Sequence, residues 1–243
     1  MVETIQVTTS DGAAEAYLAG SGPGVLFYMD AIGLRPRIAE MVEEIAGWGY
    51  TVLAPHVFYR DGSAAELAAQ TDLRVPENRV AFFQSGVMAR VNALTPDKTG
   101  PDAEAWLGAL VEHAVDGPVA TTGYCMGARL ALRTAGWRPD LVKAVGGFHG
   151  GGLVTDEPDS PHLSIAGSSA SYVLLHADKD HGLTPDHVAV LEQALTEAGR
   201  PHVNEIVPGA PHGYTMSDTS SWNEEGARRA SVELRALLDR ELG

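Results

Sequence analysis

The stretch 119-VATTGYCMGARLALRTAG-136 decides the fold, because an apolar, β-branched run turns there into a helical pattern. Its centre, GYCMG at 123–127, contains the only cysteine of the 243-residue chain. A nucleophile between two glycines at a strand-to-helix turn is typical of a nucleophile elbow, in which Gly123 and Gly127 avoid clashes with neighbouring chain. The sequence therefore predicts that Cys125 projects from the carboxyl edge of a sheet, where the dipole of the following helix favours a thiolate. The alternative is a buried, inert thiol, which the flanking glycines argue against.

Strands and helices alternate on both sides of this turn, after an N-terminal hairpin indicated by the Asp-Gly turn at 11–12. Apolar runs predict further strands at 24–29, 50–55, 142–150, 171–178 and 202–209. Apolar residues at helical spacing predict helices at 35–48, 76–94, about 101–115, 126–136, 185–198 and about 222–241. Residues 56–74 show no period and are predicted to form a loop over one end of the sheet. The alternation predicts an α/β fold, with a mostly parallel central sheet covered by helices on both faces, in one domain over 1–243.

Composition and charge exclude several classes of function. The formal net charge is −15, with no cluster among the 17 Lys and Arg residues, which argues against a nucleic-acid partner. The chain has no run of about 18 apolar residues, so no membrane span is expected, and its first twenty residues lack the basic segment of a signal peptide. A single cysteine excludes an internal disulfide and suits a reducing compartment, so we expect a cytoplasmic protein. The histidines and aspartates at 176–181 lack the spacing of zinc sites, so no metal is expected.

A thiol nucleophile needs a base, and the base needs an acid that orients it. Sheets of this kind supply them in the chain order nucleophile, acid, histidine, from loops after later strands. His212 is the predicted base, because 208-PGAPHGYTM-216 is a Gly-Pro-rich loop that follows a strand and precedes the last helix. The loop 177-ADKDHGLTP-185 offers Asp178 and Asp180 as the acid, and position alone leaves both open.

Two backbone N–H groups are needed to stabilise the oxyanion of an acyl-transfer reaction. Met126, directly after the nucleophile, is predicted to supply one of them. The loop after the strand at 24–29 is predicted to supply the other, with Ala31 favoured and Ile32 as the close alternative. Tyr59, in the irregular segment after the next strand, is a candidate for the wall of the pocket.

These segments resemble the dienelactone hydrolase family of α/β-hydrolases over most of the chain. GYCMG resembles the family's G-x-C-x-G elbow, and 25-VLFYMDAIGLRPRIAEMVEEIAGWGYTVLAPHVFYR-60 resembles its oxyanion strand, first long helix and next strand. The segments 176-HADKDHGLTP-185 and 208-PGAPHGYTM-216 are similar to its acid and histidine segments. The resemblance implies the α/β-hydrolase fold, a Cys125–His212–Asp180 triad with Asp180 favoured over Asp178, and hydrolysis of an ester or enol-lactone without a cofactor.

Three features depart from the family pattern. Asp30 matches a glutamate that helps to deprotonate the cysteine, so the resemblance implies that role for a shorter side chain. Arg60 matches the first of two arginines that hold a substrate carboxylate, whereas Met216 stands where the second is expected. His149 stands where the family carries a tyrosine near the pocket. Its side chain is either a titratable part of the pocket wall that faces the substrate or is held by the backbone in a glycine-rich turn.

The sequence therefore predicts a hydrolase that acts on a small-molecule ester or lactone, as a monomer or a small homo-oligomer. The missing second arginine favours, as an alternative, a lactonase, thioesterase or cyclising enzyme of secondary metabolism whose substrate lacks a carboxylate. A non-catalytic ligand-binding relative and a peroxide-sensing thiol are the remaining alternatives.

Overall fold

Eight strands form one sheet in the computed structural model, which describes residues 1–243. The strands are β1 (Glu3–Thr9), β2 (Gly12–Ala19), β3 (Gly24–Tyr28), β4 (Thr51–Pro55), β5 (Val119–Tyr124), β6 (Val142–Phe148), β7 (Ser171–Ala177) and β8 (His202–Val207). Their order across the sheet is β1-β2-β4-β3-β5-β6-β7-β8. Strand β2 pairs antiparallel with both of its neighbours, and every other pair is parallel. The predicted hairpin and the predicted mostly parallel sheet are confirmed.

Helices cover both faces of this sheet, as the alternation predicts. They are α1 (Pro36–Ala46), α2 (Ala64–Leu67), α3 (Pro76–Phe82), α4 (Met88–Asn92), α5 (Pro96–His113), α6 (Met126–Trp137), α7 (Pro185–Glu197) and α8 (Glu224–Leu242), with a 3-10 helix at Pro161–Gly167. Helices α1 and α8 pack on one face, and α5 and α6 pack on the other. Because both faces are covered, every residue of β3, β5 and β7 is buried, which explains their continuous apolar runs.

Tyr28 of β3 links the sheet to both helices of one face. Its ring packs edge-on against Trp106 of α5, with the ring centroids 5.9 Å apart. Its hydroxyl shares a 2.6 Å hydrogen bond with the Thr134 hydroxyl of α6. Helix α6 begins directly after Cys125, and β3 leads into the predicted oxyanion loop. This buried contact therefore holds α6 against β3.

The predicted helix at 76–94 is broken into pieces. Helix α3 is followed by a π-helical turn, Phe83–Val87, and then by α4. The break falls at Ser85 and Gly86, where Gly86 has a φ of 93°, a left-handed conformation that glycine adopts without steric cost. Both α3 and α4 contribute side chains to the wall of the cavity at Cys125, so the break shapes the site.

Two other predicted boundaries are wrong. The helix expected from about residue 101 begins at Pro96, so Pro101 lies inside α5 and not in its first turn. Pro96 occupies the first helical position, where the missing N–H of a proline has no intrahelical partner to lose. The segment 56–74, predicted as a loop, contains α2, which begins with a capping box between Ser63 and Glu66.

The longer helices are amphipathic. Helix α1 buries Ile38, Met41, Val42 and Ile45 on one side. Helix α8 likewise buries one stripe and exposes its charged residues. None of the helices is both long enough and apolar enough to span a membrane.

Candidate active site

Cys125 stands at the turn between β5 and α6 in a left-handed backbone conformation, with φ 56° and ψ −118°. A residue other than glycine rarely adopts this conformation, so the surrounding chain must hold it. A Cβ atom at Gly123 would overlap the backbone of Gly127, and a Cβ atom at Gly127 would overlap carbonyl oxygens at the end of β3. The Cys125 N–H donates to the Phe148 carbonyl of β6 at 3.0 Å. Both glycines are therefore required by close backbone approach, and the turn has the geometry of an elbow.

Three side chains from three loops at this sheet edge form a continuous Cys–His–Asp row. His212 Nε2 lies 3.0 Å from Cys125 Sγ, and His212 Nδ1 lies 2.6 Å from Asp180 Oδ2. The other oxygen of Asp180 accepts a backbone N–H of its own loop at 2.8 Å. Asp178 accepts the Gly209 N–H at 2.9 Å. The structure thus brings Asp180 to His212, whereas Asp178 ties its loop to the loop after β8.

Electrostatics in this row favour a thiolate beside an imidazolium. Burial raises the pKa of the Cys125 thiol, but the charge and hydrogen bond of His212 lower it by more, so it lies below its ordinary value. Burial lowers the pKa of His212, yet the adjoining Cys125 and Asp180 raise it to about 10. Between the two pKa values, the proton resides on His212 and the sulfur carries the negative charge.

Two residues of the cavity wall offer backbone donors for an oxyanion. Ala31 and Met126 line the same cavity as Cys125. Met126 is the first residue of α6, a position whose N–H has no acceptor within the helix. The Ala31 N–H makes no hydrogen bond, whereas the Ile32 N–H donates to the Asp30 carboxylate at 3.1 Å. Of the two alternatives on this loop, Ala31 therefore has the free donor.

Asp30 is buried on this loop, and its carboxylate is hydrogen-bonded to Arg35 and to the Ile32 N–H and not to the thiol. Its two carboxylate oxygens accept hydrogen bonds from Arg35 Nη1 and Nη2 at 2.6 and 3.0 Å. Arg35 also donates through Nε to Asp218 at 2.6 Å. The negative charge of Asp30 raises the pKa of the Cys125 thiol, which opposes ionisation. In this arrangement the Asp30 carboxylate is paired with Arg35, and it anchors the loop that carries Ala31.

Tyr59 and Arg60, both predicted to contact substrate, do not line the cavity at Cys125. Arg60 donates two hydrogen bonds to Asp102 of α5, at 2.7 and 2.9 Å. Asp102 is fully buried and also accepts the Tyr59 hydroxyl at 2.8 Å. The Arg60 guanidinium stacks on the Tyr59 ring, 4.5 Å from its centroid. The structure places both side chains against a buried carboxylate between the irregular segment and α5, where Arg60 supplies the opposite charge and Tyr59 donates a hydrogen bond.

Arg60→Met is expected to lower the free energy of unfolding by about 3 kcal/mol, because it leaves Asp102 buried without a cation. Urea denaturation measures the loss. The double variant Arg60→Met/Asp102→Leu removes both charges and should recover most of the stability. A stable Arg60→Met protein with weakened substrate affinity would contradict this assignment and return Arg60 to the substrate site.

A cavity of about 580 Å³ opens above Cys125. Two arginines in its wall were not found by sequence reasoning, Arg79 of α3 and Arg129 of α6. Neither forms an ion pair with the protein, and the buried Nε of Arg79 has no hydrogen-bond partner. Burial lowers the pKa of the Arg129 guanidinium. Spacing is the signal that could have found Arg129, since it stands four residues after Cys125 and so faces the same way on the helix.

His149 lies at the end of β6 and is fully buried. Its backbone is left-handed, with φ 41°, and its N–H donates to the Leu175 carbonyl at 2.9 Å. Its Nε2 shares a 2.7 Å hydrogen bond with the Thr215 hydroxyl, and the ring is not part of the cavity wall. Of the two alternatives, the structure therefore favours a histidine held within the turn.

Comparison with known proteins identifies the family. The sequence profile of the dienelactone hydrolase family matches residues 13–242. The chain belongs to this family. Carboxymethylenebutenolidase 1 of Cupriavidus pinatubonensis is 27% identical, over 96% of this chain and 94% of its own length. The crystal structure of a dienelactone hydrolase from Anabaena variabilis superposes with a TM-score of 0.62 at 17% identity, covering 100% of this chain and 99% of that one.

A second solved structure extends the comparison. A dienelactone hydrolase-like promiscuous phosphotriesterase, P91, from metagenomic libraries superposes with a TM-score of 0.74 at 15% identity, covering 100% of this chain and 99% of that one. The predicted family and the predicted α/β-hydrolase fold are thus confirmed. As a member of the dienelactone hydrolase family, the protein is a hydrolase of the class that cleaves lactones and esters.

Proposed function

We propose that this member of the dienelactone hydrolase family cleaves a carboxylic ester or lactone through an acyl-thioester on Cys125. The observation that carries the proposal is the unbroken Cys–His–Asp row, with contacts of 3.0 Å from sulfur to imidazole and 2.6 Å from imidazole to carboxylate. A thiolate held beside an imidazolium is a strong nucleophile at neutral pH. A strained elbow that raises this sulfur into a cavity supports the same role.

The reaction would proceed in two halves. The Cys125 thiolate attacks the carbonyl carbon, and the oxyanion that forms accepts hydrogen bonds from the N–H groups of Met126 and Ala31. As the carbon–oxygen bond breaks, His212 Nε2 gives its proton to the departing alkoxide, which stays tethered to the acyl group when the substrate is a lactone. Neutral His212 then removes a proton from water, which attacks the thioester and releases the carboxylic acid. Asp180 holds His212 in the tautomer that presents Nε2 to the sulfur.

The two arginines of the cavity support a substrate that carries an anionic group. Arg79 and Arg129 bring positive charge into a partly desolvated space in which no protein carboxylate pairs with them. A carboxylate on the substrate would supply the missing charge-assisted hydrogen bonds. In this proposal the anion is bound by arginines of the cavity wall and not by Arg60. Arg129 of α6 supplies the second positive charge, which the family pattern places at the position of Met216. The likeness to a carboxymethylenebutenolidase supports the same substrate class.

Arg129→Met is expected to reduce the preference for an anionic substrate over its neutral methyl ester by about 10- to 100-fold in kcat/KM. The reason is the loss of one charge-assisted hydrogen bond in a desolvated site. Steady-state kinetics on the matched pair of substrates measures the ratio. Arg133→Met is the control, because Arg133 lies one helical turn further along α6 and binds Asp159 outside the cavity. An unchanged ratio in Arg129→Met would remove this arginine from substrate recognition.

The proposed chemistry is tested by incubating the full chain with aryl esters and enol-lactones, with and without a carboxylate. Turnover is followed by release of acid, and intact mass is recorded within the first turnovers. The proposal requires both turnover and a mass increase equal to the acyl group, located on Cys125 and released by hydroxylamine. Ligand binding without either signal would favour a non-catalytic relative.

A further inference from the structure

His149 lies directly behind the Cys–His–Asp row without reaching the cavity. Its ring packs edge-on against the His212 ring, with centroids 5.5 Å apart and planes at 67°. It packs in the same manner against Tyr214, with centroids 5.0 Å apart and planes at 78°. The Tyr214 hydroxyl and the His149 N–H both donate to the Leu175 carbonyl, at 3.1 and 2.9 Å. The His212 ring is therefore backed by a layer of rings that is fixed to β7.

One hydrogen bond joins the turn after β6 to the histidine loop. His149 Nε2 lies 2.7 Å from the hydroxyl of Thr215, which follows His212 by three residues. On the other side, the carbonyl of the adjacent Phe148 accepts the Cys125 N–H at 3.0 Å. A short path of fixed contacts thus runs from the nucleophile through His149 to the loop of the base.

The His149 imidazole is costly for folding. The side chain is fully buried, and its Nδ1 has no hydrogen-bond partner. A buried polar atom without a partner destabilises a fold, and an apolar ring at this position would not carry that cost. The left-handed backbone, with φ 41°, adds strain at the same residue. Such a residue behind a reactive site indicates a role in the reaction.

We infer that His149 is a positioning residue for the hydrolysis proposed above, on which this inference rests. Through Thr215 and through its ring edge, it fixes the plane and depth of the His212 ring, and so holds Nε2 at 3.0 Å from Cys125 Sγ. Burial and the adjoining His212 lower the pKa of His149 well below its ordinary value. His149 therefore stays neutral and places no second positive charge beside the imidazolium.

Other charged or titratable groups act on this row or on His149, and they bear on the pH dependence. On the row they are Asp180 and His181 on the loop after β7, Asp30 on the loop after β3 and Arg129 on α6. On His149 they are Tyr124 at the end of β5, Tyr214 on the histidine loop and Arg79 on α3. All of them remain in the variants used below, so a shift in pH dependence reports the His149–Thr215 contact.

The double variant His149→Phe/Thr215→Val removes both partners of the hydrogen bond. Valine keeps the shape of threonine, and phenylalanine keeps a planar ring that is slightly larger than imidazole. We expect its melting temperature to stay close to that of the wild type, because the replacement of a buried polar pair by apolar groups offsets the cost of the larger ring. We expect kcat to fall about tenfold with little change in KM, because a looser His212 is misplaced for proton transfer. The pH midpoint for alkylation of Cys125 by iodoacetamide should rise, since the thiolate is less stabilised. The single variant Thr215→Ser keeps the hydroxyl and should have the wild-type midpoint.

His176→Phe is the matched control for loss of a buried histidine. His176 is also buried, has an unpartnered Nδ1 and makes a single 2.7 Å hydrogen bond, to Asn204. It makes no ring contact with His212, so its loss should leave the alkylation midpoint in place. If the double variant does not fold, Thr215→Val against Thr215→Ser makes the same comparison.

The inference is overturned if the double variant is alkylated and turns over as the wild type does, or if His176→Phe shifts the midpoint equally. A wild-type thiol that is alkylated only near its ordinary pKa of about 8.5 is a different failure. It would count against the thiolate–imidazolium pair, and hence against the proposed function itself.

Discussion

Cys125→Ala is expected to lower kcat/KM at least about 10⁴-fold for every ester or lactone that the wild type hydrolyses. Acyl transfer needs a nucleophile at the elbow, and alanine leaves His212 and the two backbone donors without one. A small residual rate above that of water is expected, because the cavity and the oxyanion donors remain. Steady-state turnover gives the ratio, and intact mass should show no acyl adduct on the variant.

Cys125→Ser separates the loss of the thiolate from the loss of a polar side chain. A serine can still donate to His212 Nε2, but its hydroxyl does not ionise to form the ion pair, so acylation should fall about 10³-fold. Serine and alanine must both adopt the same left-handed backbone, with φ 56°, so the two variants should have similar melting temperatures. Full activity in Cys125→Ala would assign the chemistry to another group and end the proposed mechanism.

The elbow can be predicted from sequence because one local steric constraint requires both of its glycines. Gly123 and Gly127 approach the backbone so closely that any Cβ would overlap it, and this constraint is recognisable in the five-residue motif at 123–127. The buried strands are predictable for a similar reason. A strand covered on both faces must be apolar throughout, as β5 and β7 are.

The pairing of charges is the part of the structure that the sequence does not predict. Arg60 stands beside a recognisable segment, yet its partner Asp102 is 42 residues away and fully buried. Asp30 stands on the oxyanion loop, yet Arg35 takes both of its carboxylate oxygens. A buried carboxylate recruits whichever cation the fold brings to it, and that depends on how the helices pack and not on position along the chain.

The cavity arginines are residues at the candidate site that the sequence pattern does not indicate. Arg79 was not recognised because the helix at 76–94 appears continuous by periodicity. The break at Gly86, where φ is 93°, is not visible in that pattern, because a glycine inside a helical pattern is compatible with an unbroken helix. The pattern therefore predicts the helix but not the face that it turns toward the site.

Asp180→Asn is expected to lower kcat by about 10³- to 10⁴-fold. In the wild type, His212 Nδ1–H donates a hydrogen bond to the Asp180 carboxylate across 2.6 Å, which leaves Nε2 facing the sulfur. An asparagine can turn its amide nitrogen toward Nδ1 and so stabilise the tautomer that carries its proton on Nε2. That tautomer does not accept a proton from the thiol or from water.

The same variant should narrow the pH range of activity from both sides. Asp180 is one of the groups that raise the pKa of His212 to about 10, so its loss moves the basic limb of kcat/KM to lower pH. A ring that is less often protonated also stabilises the thiolate less, so the lowered pKa of Cys125 rises and the acidic limb moves to higher pH. Because the two groups titrate together, each limb reports a macroscopic pKa of the pair. Profiles of kcat/KM from about pH 5 to about pH 11 measure both limbs.

Asp178→Asn is the matched control, because Asp178 is the other aspartate of the loop and accepts the Gly209 N–H at 2.9 Å. It orders the loop without contacting His212, so its substitution should lower the melting temperature slightly and leave both limbs in place. If Asp178→Asn moved the limbs as far as Asp180→Asn does, the effect would come from the loop as a whole and not from the carboxylate–imidazole bond. An Asp180→Asn enzyme with the wild-type profile would show that His212 works without this acid.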